Sequence, residues 1–325
     1  MIKMSLIESL SEKLKGKNVK IVFPEGNDSR VLRATIRLKN DGVIEPIVLG
    51  NVEEIKNLAQ KEGVNLSDLQ IVDPKNFEEF DKMVDAFVQR RKGKATVEQA
   101  RDILKDPNYF GTMYVYMGKA DGMVSGANHT TAETVRPALQ IIKTKEGIKR
   151  TSGAFVLLRD DKMYVAADCA INTDLDEEGL AEVAVVTEET ARKFGLEPRI
   201  AMLSFSSHGS AKHDRVTLVA NATKLAKEKN PNMLIDGELQ FDAAFVKEVA
   251  DKKVPDSPLH GSANVFIFPN IEAGNIGYKL IQRFGGYKAI GPILQGLNKP
   301  VNDLSRGCVE DEVYDLAIVT AAEAL

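Results

Sequence analysis

Val19-Lys20-Ile21-Val22-Phe23-Pro24-Glu25-Gly26 is an apolar run closed by a turn, and a helical pattern follows it from about Ser29 to Asn40. A second apolar run spans Ile44 to Leu49, and helical spacing returns from Asn51 to Glu62. Apolar runs bounded by Pro and Gly read as buried strands. Their alternation with helices predicts an α/β fold with a mainly parallel sheet covered by helices.

The pattern continues outward from this stretch. Met1 to Lys17 places Leu6, Ile7, Leu10 and Leu14 at helical spacing, and Glu8 and Glu12 argue against a signal or transit peptide. Thr96-Val-Glu-Gln99 is a capping box opening a helix to Leu104. Ala120 to Val124 leads into Ser125-Gly-Ala-Asn-His-Thr-Thr131 and a further helical segment. In the middle of the chain, Ala154 to Leu158 and Met163 to Ala167 flank Arg159-Asp-Asp-Lys162 and predict an antiparallel hairpin. Asp174, with Glu177 three residues on, starts a long helix striped by Leu180, Val183, Ala184, Ala191 and Phe194 and stopped at Gly195. Strand runs follow at Arg199 to Phe205, Met233 to Ile235 and Asn264 to Phe268, with helices over about Asp214 to Lys229 and Gly274 to Phe284. A chain of 325 residues suggests two domains. Pattern changes near Thr144 and Gly296 assign residues 1–143 plus 296–325 to one and 144–295 to the other.

The composition narrows the function classes. A formal net charge of -4 argues against nucleic acid or an anionic membrane as main partner, so any anion site must be a local basic patch. No run of about 18 apolar residues marks a membrane span. Two cysteines, Cys169 and Cys308, make no disulfide framework and point to a cytoplasmic protein. Neither a Gly-x-Gly-x-x-Gly nor a Walker A loop occurs, which disfavours nucleotide cofactors of those classes.

Chemistry concentrates in Pro300-Val-Asn-Asp-Leu-Ser-Arg-Gly-Cys308. A hydroxyl (Ser305), a guanidinium (Arg306) and a glycine stand in a row before the last helical pattern, a combination suited to a tetrahedral oxyanion such as phosphate. Glu310, Asp311 and Glu312 follow at once and offer a general base. In this segment alone, a capped helix with an exposed arginine would look the same. A second cluster, Val124 to Thr131 with Arg136 five residues on, is a small-residue loop whose backbone N–H groups are of the kind that hold ligands at strand carboxyl ends. Within it, His129 reads as a hydrogen-bonded loop histidine. The basic run Arg90-Arg-Lys-Gly-Lys94 is either a solvated surface or a contact for phosphate groups. Ser204 to His213 is a third small-residue loop; His208 and His213 have no carboxylate at ligand spacing, so no metal site is expected. Cys308 invites a nucleophile reading, although no histidine lies near it in sequence.

With these residues in view, the chain resembles the phosphate acetyl/butyryltransferase family, its phosphate acetyltransferase (phosphotransacetylase) branch above all, over nearly its whole length. The matching stretches are Val22-Phe-Pro-Glu-Gly26, Ala120 to Gly126, His129-Thr-Thr131 through Pro137, Phe268-Pro-Asn-Ile-Glu-Ala-Gly-Asn-Ile-Gly277, and Pro300 to Cys308 as the most specific. The resemblance implies reversible acetyl transfer between acetyl phosphate and coenzyme A, releasing or using inorganic phosphate, by direct attack of the CoA thiolate in a ternary complex. It further implies two α/β domains with a cleft, a fold similar to isocitrate/isopropylmalate dehydrogenases, and a homodimer. No cofactor is implied beyond coenzyme A as a substrate. Carried over, Ser305 and Arg306 match the serine and arginine at the acyl phosphate, Arg90 and Arg136 match two further functional arginines, and Ser125 and Thr130 lie in the matching loop. One departure stands out: the family's usual aspartate seven residues after the motif serine is Glu312 here, with Asp311 directly before it. Adjacent helical residues point about 100° apart, so one of the two serves as base, and register favours Glu312.

Three other readings compete: the same reaction on butyryl phosphate, a metal- and NAD(P)-dependent dehydrogenase on a similar fold, and a binding protein that has lost turnover. The dehydrogenase needs clustered aspartates, whereas Asp168, Asp174, Asp176 and Asp236 are scattered in sequence. The Glu312 departure alone favours the binding protein.

Overall fold

The structure, a computed structural model, describes residues 5–66 and 68–325. The chain divides into two compact units, Met1–Lys145 with Leu297–Leu325, and Glu146–Gly296. Met1 to Met4 of the expected first helix lie outside the described residues.

In chain order the first unit runs α1 (Leu6–Leu14), β1 (Lys20–Phe23), α2 (Ser29–Asn40), β2 (Glu45–Leu49), α3 (Val52–Glu62), β3 (Gln70–Val72), α4 (Phe80–Arg91), α5 (Val97–Ile103), α6 (Pro107–Tyr116), β4 (Gly122–Ser125) and α7 (Thr131–Pro137), with a π-turn over Ala138–Ile142. The second unit holds β5 (Ser152–Arg159), β6 (Lys162–Ala167), α8 (Glu177–Lys193), β7 (Ile200–Leu203), α9 (Asp214–Lys229), β8 (Ile235–Leu239), α10 (Phe241–Phe245), α11 (Lys247–Lys253), β9 (Val265–Ile267), α12 (Ile271–Gly285) and β10 (Lys288–Gln295). The chain then returns to the first unit with β11 (Val301–Asp303) and α13 (Glu310–Glu323).

The expected mainly parallel α/β architecture holds. The first sheet has the order β11-β4-β1-β2-β3, and all four of its pairings are parallel. Its inner strands β1, β2 and β4 are largely buried and mostly apolar because helices cover both faces. Ile21, Val22, Phe23, Val48, Met123 and Val124 are almost completely buried. Each such side chain contributes about 1.5–3 kcal/mol on burial. The second sheet, β10-β5-β6-β9-β7-β8, is parallel from β6 to β8, and the expected hairpin forms its antiparallel side.

Two expectations shift. The strand expected at Met233 to Ile235 runs instead over Ile235–Leu239, where Asp236 and Glu238 are buried with partners. The long helix after Asp174 is capped by Asp176, whose carboxylate accepts from the Gly179 N–H at 2.8 Å.

The two faces of α2 differ sharply. Asp28 caps the helix by accepting from the N–H groups of Arg30 and Val31, and Val31, Leu32, Ala34, Thr35 and Leu38 face the core. The opposite face carries Arg30, Arg33 and Arg37, at i, i+3 and i+7.

Candidate active site

The chain enters the first sheet at β1 and steps outward to β2 and β3. It then places β4, and finally β11, on the other side of β1. The β1/β4 boundary is therefore a topological switch point, and open parallel sheets bind ligands beyond the strand carboxyl ends there. Three loops meet at that edge: Pro24 to Asp28 after β1, Gly126 to Thr130 after β4, and Leu304 to Val309 after β11. All eight candidate site residues belong to the first unit.

The loop after β4 is not open to a ligand. Its N–H groups at Gly126, Ala127, Asn128 and His129 all donate to the Glu25 carboxylate, at 3.0, 2.9, 2.7 and 3.1 Å, and His129 Nδ1 lies 2.6 Å from Glu25 Oε1. The concavity expected to hold a substrate anion thus holds the protein's own, 2% exposed. Burial pushes the Glu25 carboxyl up, but His129 and the backbone donors outweigh it and leave it below the ordinary carboxylate range. The same hydrogen bond holds His129 above the usual imidazole value. Ser125 is fully buried and donates its hydroxyl to Asn108 Oδ1 at 2.6 Å, so in this conformation it faces inward. Thr130 is exposed and caps α7, its N–H and hydroxyl both donating to Glu133 Oε2 at 2.7 and 2.8 Å.

The loop after β11 is the open one. Ser305 and Arg306 are exposed. The Ser305 Oγ accepts from the Gly307 N–H at 3.3 Å, which leaves its own hydrogen available for donation. Arg306 makes no ion pair among the described residues and lies near enough to add to the pull that Thr130 exerts on the Glu133 carboxyl. Arg136 is likewise exposed on the last turn of α7. Of the three acids, Glu310 pairs with Arg33 at 3.0 Å and Asp311 with Arg37 at 2.6 Å, both drawn toward α2. Glu312 turns back and accepts from the Val309 N–H at 3.0 Å. Asp303, at the end of β11, is 1% exposed; burial raises its carboxyl to about 6, against the hydroxyls of Thr131, at 2.7 Å, and Thr134. The Thr134 hydroxyl acts on it without a hydrogen bond of normal geometry. Gly126, at φ +116°, admits no side chain, since a Cβ there would sit 2.4 Å from Asp303 Oδ1. Burial also pushes the Cys308 thiol up to about 11, which keeps it protonated and unsuited to nucleophilic attack.

Arg90 is tied elsewhere. Its Nε and Nη2 donate to the carbonyls of Ile141 and Ile142 at 2.5 and 3.0 Å, and the guanidinium lies over the Tyr116 ring. With Gln89, Lys92 and Tyr116 it lines a cavity of about 240 Å³. Arg90, burial, and then Lys92, Arg91 and Lys94 depress the Lys143 ammonium, so this patch is a concentrated positive field. Arg91 and Arg136 both oppose the rise that burial causes in the Tyr109 phenol, which connects the patch to α7.

Sequence reasoning missed Glu25 and Arg30. All five N–H donors of Arg30 are occupied: Nε and Nη2 by Asp28, Nη2 by the Ala127 carbonyl at 2.9 Å, and Nη1 by the Arg306 and Cys308 carbonyls at 2.8 and 2.9 Å. One side chain thereby ties all three loops together. The sequence carries only a weak trace of Arg30, the arginine spacing along α2, which a solvated helix face shows equally, and none of Glu25.

In the second unit, the loops after β6 and β7 also close on buried acids, Asp168 from within its own loop and Glu238 from β8. Asp168 accepts from the N–H groups of Gly153, Ala170, Ile171 and Asn172, and Glu238 from the Gly209 N–H and the Ser206 hydroxyl. His208 lies 3.1 Å from Asp236, and the His213 Nδ1 caps α9. Among the described residues, no group of three or more His, Cys, Asp or Glu side chains is placed to hold a metal ion, and no helix is long and apolar enough to cross a membrane.

Comparison with known proteins agrees with the resemblance. Residues 5–321 match the family described as phosphate acetyl/butaryl transferase. A phosphate acetyltransferase of Bacillus subtilis is 59% identical over 320 residues, 98% of this chain and 99% of that protein. The crystal structure of a phosphotransacetylase from Streptococcus pyogenes superposes with a TM-score of 0.95 at 59% identity, over 99% of both chains. A protein described as a putative 4-hydroxythreonine-4-phosphate dehydrogenase from Salmonella typhimurium shares the fold alone, at TM-score 0.57 and 16% identity over 95% of this chain and 100% of that one. The chain that carries this open Ser305–Arg306 loop at the switch point of its first sheet belongs to the phosphate acetyl/butaryl transferase family.

Proposed function

We propose that this protein transfers an acetyl group reversibly between acetyl phosphate and coenzyme A, by direct attack of the CoA thiol sulfur on the acetyl carbonyl. The observation that carries the reading is the open Ser305 hydroxyl and Arg306 guanidinium, seven and six residues before Glu312, at the carboxyl edge of a parallel sheet. Family membership supplies the substrates.

In this reading Arg306 and Arg136 hold the phosphoryl group, the Arg90 patch meets phosphate groups of CoA, and the Ser305 hydroxyl donates to the oxyanion. Thr130 lines the same edge. Ser125 supports it from behind through Asn108. The C–S bond forms as the bond from the acetyl carbon to the phosphate oxygen breaks. Inorganic phosphate leaves, and the thiol proton passes to Glu312. A thiol near ~8.5 and a glutamate near ~4.3 differ by roughly four pKa units, about 6 kcal/mol. Neighbouring arginines narrow that gap by lowering the thiol, and proton transfer concerted with C–S bond formation avoids crossing it beforehand. The Asp311–Arg37 ion pair supports Glu312 as the base, because it draws Asp311 toward α2.

The test is a coupled assay of acetyl-CoA formation on chelator-treated protein without added metal or nicotinamide. Turnover with acetyl phosphate above that with butyryl phosphate is expected. Folded protein without turnover on either substrate removes the proposal. Comparing Glu312→Gln with Asp311→Asn identifies the base: collapse of the aspartate variant alone reverses the assignment.

The family resemblance also leads us to propose a homodimer, and the two unpaired cysteines a cytoplasmic protein. Ile276, Leu280 and Phe284 support the dimer, since they form an apolar stripe on α12 at i, i+4 and i+8, exposed by 58%, 47% and 87%. Phe284→Glu is expected to yield monomers in analytical ultracentrifugation.

A further inference from the structure

We propose that Arg30 is the positioning residue that sets Ser305 and Glu312 together, acting through two peptide planes. The inference rests on the acetyl-transfer reading above. In a planar trans peptide, the carbonyl and the N–H point in opposite directions. Arg30 Nη1 draws in the Arg306 carbonyl, which turns the N–H of the same peptide, that of Gly307, away from α2. This N–H is the one that donates to the Ser305 Oγ. The same nitrogen draws in the Cys308 carbonyl, which turns the Val309 N–H outward onto Glu312 Oε2. A single guanidinium nitrogen thus fixes the partner of the proposed hydroxyl donor and the partner of the proposed base.

The rest of the guanidinium makes this fixture rigid. Asp28 receives Nε and Nη2 in a fork, and Asp28 is itself held by capping α2. The remaining Nη2 donor reaches Ala127, in the loop closed on Glu25. The reference point for Ser305 and Glu312 is therefore a helix start and a neighbouring loop, not the mobile end of a long side chain. A lysine offers three donors from one atom and cannot reproduce five directions.

The test is a mutant cycle in the full chain, scored by steady-state kinetics and thermal melting. Arg30→Gln and Arg30→Lys are each expected to lower kcat about 100-fold, the scale of a 1 Å misplacement, with KM for CoA changed by less than about twofold. In a Ser305→Ala/Glu312→Gln background the further loss from Arg30→Gln should shrink below about fivefold, because its targets are gone. An equal loss in both backgrounds overturns the proposal and leaves a purely structural arginine, as does kcat near wild type in either single variant. If Arg30→Gln does not fold, the charge-retaining Arg30→Lys carries the same cycle. Wild-type protein without turnover refutes the acetyl-transfer reading instead, which keeps the two failures apart.

Discussion

The loops after β4 and β11 follow neighbouring parallel strands, each carry a glycine and lead into helices, yet they end in opposite states. One is closed on Glu25 and the other leaves Ser305 and Arg306 free. The difference lies in neither loop. It lies in a side chain from the β1 turn, more than 100 residues away in sequence. A small-residue loop at a strand end is therefore an anion receptor by backbone chemistry, and whether it serves a ligand depends on what the rest of the fold has put into it. In the second unit Glu238, from β8, reaches the loop after β7 in the same way, whereas Asp168 closes the loop it belongs to; each is at most 4% exposed.

Exchanging the two behaviours by mutation is the most direct challenge to this contrast. Glu25→Ala should lower unfolding stability by about 3–5 kcal/mol in urea titration at pH 7, since it strands buried N–H groups and a histidine that has lost its counter-charge. A loss under about 1 kcal/mol would mean that the loop keeps its shape without its anion. On the proposed function, Ser305→Ala should do the reverse: melting is unchanged, while kcat falls by about 100-fold, the effect of losing one oxyanion donor. A variant that melts early would make Ser305 structural, like Glu25.

Asp303 sharpens the contrast through pH. Its carboxyl is raised to about 6 in the folded state, so the folded protein binds the extra proton between the unfolded value and about 6. Ionised Asp303 therefore destabilises the fold at neutral pH, and the penalty fades as pH falls. Asp303→Asn should stabilise by about 1–3 kcal/mol at pH 7.5 and by almost nothing near pH 4. A stabilisation independent of pH would assign the effect to packing. The smallest expected change is at Cys308: Cys308→Ala should leave kcat within about a factor of two, because a thiol held near 11 forms no acyl intermediate. A large loss of activity there would reopen covalent catalysis.

Much of the architecture was legible locally. Ser29–Asn40 and Asp214–Lys229 match their helical patterns at both ends, and the hairpin follows its turn. α6 was not read because it is buried on nearly every side and has no stripe, although Asp106 and Pro107 announce its start. β10 carries Pro292 inside its run and a bulge between Ile290 and Ile293, the usual disguise of an edge strand. β8 hides behind two buried acids. At the site, Ser305 and Arg306 form a contiguous motif and could be read directly. Glu25 and Arg30 could not, because their roles consist of contacts up to 278 residues apart. A ligand contact at Ser125 follows from loop position alone, whereas its inward hydroxyl depends on Asn108, seventeen residues away on a helix without an apolar stripe.

The self-filled loop also bears on how the protein tolerates its surroundings. Laboratory buffers are rich in sulfate, carboxylates and chloride, any of which could settle into an unoccupied nest of four N–H groups. With Glu25 covalently part of the chain, its effective concentration there cannot be matched by a dissolved ion. On the proposed function, background anions should therefore inhibit at the open arginines, Arg306 and Arg136, and at the basic patch around Arg90, and not at the nest closed by Glu25.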